Sequence, residues 1–185
     1  MTNSALISKK SVSVKKQTIV ALLAIVSAVV LPQCVHVMGS MSGLGTALGE
    51  VFLPMHLPVL LAGLVAGSYA GAFAGLFSPL ISFALTGMPS AVMLPFMMIE
   101  LFSYGLISGL LRNSKMPCIA KVLTAQAGGR AVRAIAILLS VYAFGNTAIN
   151  TTVILSSIAV GIFGLVLQWT LIPLIMYRLD GKKSE

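Results

Sequence analysis

From Pro54 to Gly87 the chain runs for 34 residues in which almost every position, on every face of a helix, is apolar. A soluble helix keeps a polar face and a membrane β-strand alternates, so this stretch, like Ile19 to Pro32, belongs inside a bilayer as helix. As one helix it would be about 51 Å long, well beyond the roughly 30 Å hydrocarbon core. It is therefore read as two short spans. With apolar segments at Gln17–Val37, Ala91–Leu111, Val122–Phe144 and Val153–Tyr177, the total is six.

Charge placement supports that count. The chain is 58% hydrophobic and only 9% charged, so each Lys and Arg carries topological weight. With six spans, Lys9, Lys10, Lys15 and Lys16, then Arg112, Lys115 and Lys121, then Arg178, Lys182 and Lys183 all fall on one side, and no Lys or Arg falls in a loop on the other. Five spans would put two of the three clusters outside, against the positive-inside rule. The expectation is an all-α polytopic membrane protein with six transmembrane helices and both termini cytoplasmic. It has a basic tail over 1–16, a membrane domain over 17–178 and a second tail over 179–185. The net charge of +8 arises from these flanking clusters, and a nucleic-acid partner is not expected. The first apolar stretch is read as a retained helix and not as a cleaved signal, because the rest of the chain is also membrane. Cys34 and Cys118 fall on opposite faces in this topology, so no disulfide is expected.

The motifs narrow the chemistry further. No phosphate-binding G-x-x-x-x-G-K-[ST] loop occurs, so any ATP-driven step must come from a partner. His36, His56 and Glu50 lack the spacing of a metal site, and neither metal nor cofactor is expected. Ala62-Gly63, Ala66-Gly67, Ala70-Gly71 and Ala74-Gly75 form a small-residue stripe suited to close helix packing or to sliding against a partner. Ala24-x-x-x-Ala28 repeats the theme in helix 1. Gln168, deep in helix 6, reads as interhelical glue.

Three ionisable residues fall near mid-depth: Glu100 in helix 4, about 14 Å from its outer end, and Arg130 and Arg133 in helix 5, the former about 12 Å from the inner end. Isolated charges there cost at least about 2.5 to 3.5 kcal/mol, so Glu100 is expected to pair with Arg130 or Arg133. One cation is left over. Arg133 lies nearer the outside and is the expected contact for an anion entering there. Glu50, His56, Asn146 and Asn150 supply most of the remaining polar groups on the outer face and complete the candidate substrate-binding set, although capping and turn roles suit them too.

The run Pro54-Met55-His56-Leu57-Pro58-Val59-Leu60-Leu61-Ala62-Gly63, with Gly71, Gly75, Ser78-Pro79-Leu80, Leu85-Thr86-Gly87-Met88-Pro89 and Glu100-x-x-x-Tyr104-Gly105-Leu106-x-Ser108-Gly109-Leu110, resembles the substrate-binding S components of energy-coupling factor (ECF) vitamin transporters. The branch is the one that includes pantothenate and cobalamin carriers. Gly129-Arg130 and Leu167-Gln168-x-x-Leu171-Ile172-Pro173 are similar to the same pattern, and the resemblance covers about Glu50 to Tyr177. It implies a non-enzymatic subunit of a prokaryotic plasma membrane that captures a small water-soluble vitamin or precursor, with pantothenate or a related B vitamin the best candidate. It also implies a transmembrane coupling protein and two cytoplasmic ATPases as partners, and Ala24 and Ala28 as the docking motif. The rival readings are a stand-alone proton- or sodium-coupled carrier using Glu100 and, lower, a membrane enzyme, for which no nucleophile–base pair is found.

Overall fold

The computed structural model describes residues 12–44 and 47–181. Lys9, Lys10, Lys182 and Lys183, which entered the topology argument, lie outside them. Helix α1 spans Val14–Met41, α2 Ala47–Phe52, α3 His56–Ala66, α4 Ser68–Thr86, α5 Leu94–Leu110, α6 Cys118–Leu138, α7 Val153–Val160 and α8 Ile162–Gly181. Among the described residues six helical stretches are long and apolar enough to cross a membrane, with α2 and α3 counted as one broken span. The expected all-helical six-span architecture is the observed one.

The 34-residue apolar run divides at a single residue. Gly67 adopts φ 109° and ψ 179°, a backbone state open to glycine, so α3 stops and α4 starts with no loop between them. Two other breaks were not anticipated. The second span begins at Ala47, earlier than expected, and is interrupted where Leu53 takes φ 47° just before Pro54, which has no N–H to continue a helix. The sixth span is interrupted at Gly161, between α7 and α8.

The small-residue stripe faces inward. Ala62, Ala66, Ala70 and Ala74 are buried, and a Cβ placed on Gly71 would overlap the Gly105 carbonyl while one on Gly75 would overlap that of Leu101. Here α3 and α4 meet α5 backbone to backbone, which is how apolar helices gain dispersion energy where lipid offers no hydrophobic drive. The stripe is a packing surface, not a free sliding face.

Ala24 and Ala28 of α1 face inward. Both are buried in the chain's own core with Val59, Leu60 and Leu64, because α1 turns its small-residue face onto α3 and α4. The face that α1 leaves exposed carries Leu22, Leu23, Val26 and Val30 instead. Cys34 and Cys118 share no disulfide.

Candidate functional site

A cavity of about 510 Å³ lies where the second half of α1, α2, the start of α3, the α4–α5 connection and α7 converge over α5 and α6. That volume is in the range of sites for small molecules. Its wall combines apolar groups, among them Met55, Met88, Met93, Met97 and three prolines, with the polar side chains of Gln33, His36, Glu50, His56, Ser82, Glu100, Arg130, Arg133, Ser156 and Ser157.

Glu100 sits in the middle of α5 and is wholly buried. Tyr104, one turn on, donates its hydroxyl to Glu100 Oε1 at 2.9 Å, and Arg133 Nη1 of α6 donates to Oε2 at 2.8 Å. The carboxylate thus has a partner on each oxygen, as a buried charge requires. Gly129 makes room for this arrangement: a Cβ there would overlap the Tyr104 ring. The expected ion pair is therefore present, and Arg133 is the residue that makes it. Arg133 was expected to be the spare cation; the structure gives that place to Arg130. Among the described residues, Arg130 makes no hydrogen bond or ion pair, and its Nε is buried without a partner. Both arginines line the cavity, three positions apart on one face of α6.

His56 opens α3 and is 3% exposed, with its ring 5.4 Å from that of Tyr104. Neither ring nitrogen makes a hydrogen bond of good geometry among the described residues. Gln33 Nε2 and His36 Nδ1 are likewise buried and unpartnered, the His36 ring being packed against Gly49 of α2. A native interior satisfies nearly all its buried polar atoms, so this concentration in one cavity marks a place fitted for a polar guest.

A second polar cluster fixes the broken span. Gln126 Nε2 of α6 donates to Gln168 Oε1 of α8 at 2.8 Å, Trp169 Nε1 donates to Gln126 Oε1 at 2.6 Å, and Gln168 Nε2 donates to the Leu53 carbonyl at 3.3 Å. Gln168 is thus the glue expected of it. It holds the break that places Leu53, Pro54, Met55 and His56 on the cavity wall.

Of the seven residues expected to bind substrate, Glu50, His56, Glu100, Arg130 and Arg133 come together, with Glu50 exposed at the rim. Asn146 and Asn150 do not. Asn146 donates to Ser140 Oγ and accepts from Ala148 N, while Asn150 accepts from Thr152 N, so both side chains are engaged in the turn between α6 and α7. Gln33, His36, Ser82, Ser156 and the methionines were missed. Each is unremarkable in its own helix, and the signal lies only in their convergence. Among the described residues no three His, Cys, Asp or Glu side chains gather to hold a metal.

The model of the family described as "ECF transporter, substrate-specific component" matches residues 15–177. The chain belongs to that family. Comparisons with curated proteins and with solved structures gave no match. An S component is a substrate-binding transport subunit embedded in the membrane, and this one is multi-pass, with six apolar helices.

Proposed function

We propose that this S component captures a small water-soluble vitamin or vitamin precursor from outside a prokaryotic cell, with pantothenate or a related B vitamin the best candidate. A transmembrane coupling protein and two cytoplasmic ATPases then drive its release inside. Residues 17–178 form the membrane domain, with tails 1–16 and 179–185 and both termini in the cytoplasm. The observation that carries the reading is the cavity of about 510 Å³, where the buried His56 and the half-buried Gln33, His36, Arg130 and Arg133 each keep at least one buried nitrogen without a hydrogen-bond partner among the described residues. Membership of the ECF family supports the division of labour, since the chain has no phosphate loop of its own.

The stand-alone carrier reading depends on Glu100 as a titrating or ion-binding group. Its two oxygens are already taken by Tyr104 and Arg133, which favours a structural carboxylate. Purification of the tagged chain from its own cells in mild detergent should retain a coupling protein and two ATPases, and uptake in vesicles should require ATP. Gradient-driven uptake by the chain alone in proteoliposomes would contradict the proposal.

A further inference from the structure

The charges around the cavity count to one. Glu100 and Arg133 neutralise each other at 2.8 Å, Glu50 is exposed to solvent at the rim, and among the described residues Arg130 has no counter-ion. Close by is the start of α3. Its first residue His56 and the two residues before it, Pro54 and Met55, lie on the cavity wall, and Met55 at its N-cap makes no side-chain capping bond. A helix start carries a partial positive charge that favours anions. By itself that is a common feature. His56 makes it specific: it is 3% exposed, it faces the cavity, and among the described residues neither ring nitrogen makes a hydrogen bond of good geometry. Glu100, Arg130 and Arg133 all lie within electrostatic reach of that ring.

We infer that the start of α3, His56 and Arg130 together form a seat for a single carboxylate, so that the cargo is a small monocarboxylate. One negative charge neutralises Arg130, while its oxygens can accept from the guanidinium and from an imidazole N–H. A neutral or cationic cargo would leave the half-buried Arg130 uncompensated, and a dianion would leave a surplus charge of its own. The rest of the molecule would lie among Met55, Met93 and Met97, whose flexible thioethers fit irregular apolar shapes, with the unpartnered Gln33 amide offering a hydrogen bond. The inference rests on the cavity being the cargo site.

The test does not need the cargo's identity. The chain has two histidines, so ¹⁵N-histidine labelling gives two ring systems, His36 and His56, which His36→Gln assigns by removal. Sodium propionate, the smallest carboxylate with an apolar tail suited to the site, is titrated at constant ionic strength into the detergent-solubilised wild-type protein, with propionamide as its neutral counterpart. The expected result is a saturable shift of the His56 signals by propionate, none by propionamide, and at least about a tenfold weaker propionate affinity in Arg130→Met. No response to propionate, an equal response to propionamide, or an unchanged affinity in Arg130→Met would overturn the carboxylate seat. If the seat fails here while a neutral vitamin raises the melting temperature of the protein, the transport reading stands and only the charge assignment falls.

Discussion

Gly105→Leu is expected to yield almost no folded protein. A Cβ at Gly105 would overlap the Gly71 carbonyl and approach the Ala72 nitrogen, and these are backbone atoms in the middle of α4. No rotamer change relieves such a clash. The two helices would have to separate along a contact that also includes Gly75 against Leu101 and Gly109 against Ser68. Overpacking of ordinary cores costs about 1 to 3 kcal/mol and sometimes more, and here the close approach itself is the source of stability. Gly128→Ala is the internal control. Its added methyl meets only the end of the Ile107 side chain, at 2.6 Å, which can rotate away. Fluorescence-detected size-exclusion chromatography in mild detergent should show a monodisperse peak for Gly128→Ala and aggregate or nothing for Gly105→Leu. Equal behaviour of the two would show that the α4–α5 backbone contact is not what holds the bundle.

The second large effect concerns Glu100. Glu100→Gln removes the charge that compensates Arg133, leaving two half-buried cations three residues apart on α6. Breaking a buried pair by removing one partner costs about 3 to 5 kcal/mol, and since Arg133 keeps 13% of its side-chain surface exposed the low end of that range applies. The glutamine can still accept from Tyr104, so the loss reports on charge and not on the tyrosine hydrogen bond. The double variant Glu100→Gln/Arg133→Met should be more stable than Glu100→Gln alone, because the stranded cation is gone. Unfolding midpoints of the wild type, the two single variants and the double variant in a denaturing detergent series measure this. Strictly additive losses would mean that the 2.8 Å contact carries no net coupling.

Much of this molecule was legible from sequence because the bilayer leaves so few choices. Span count followed from length against membrane thickness, and the Glu100 ion pair from the cost of charge at depth. Which arginine pairs was not legible. Arg130 and Arg133 are three residues apart and share one face, so the choice depends on the rotation of α6, set by the fit of Gly129 around Tyr104. The two small-residue patterns mark surfaces for close approach, but spacing does not say which helix approaches. Ala24 and Ala28 meet the chain's own core. Asn146 and Asn150 illustrate the same limit: an asparagine in an outer loop looks alike whether it serves a turn or a ligand, until its hydrogen bonds are known. The break at Leu53 left no local signal beyond Pro54, because the non-glycine residue in a left-handed conformation is held by Gln168, 115 positions along the chain.

The central claim is that the cavity binds a small molecule for transport, and a melting-temperature screen of the purified protein tests it most directly. The panel is the B vitamins, their precursors and queuosine-like bases, against the wild type and against Met97→Trp, which places an indole in the cavity. A ligand that binds only the folded state stabilises it by about 2.7 kcal/mol at a hundredfold excess over its dissociation constant. One chemically related group, with pantothenate the first to try, is expected to raise the wild-type midpoint by several degrees and to leave Met97→Trp unmoved. A panel without effect on the wild type, or an equal rise in both proteins, would contradict the claim.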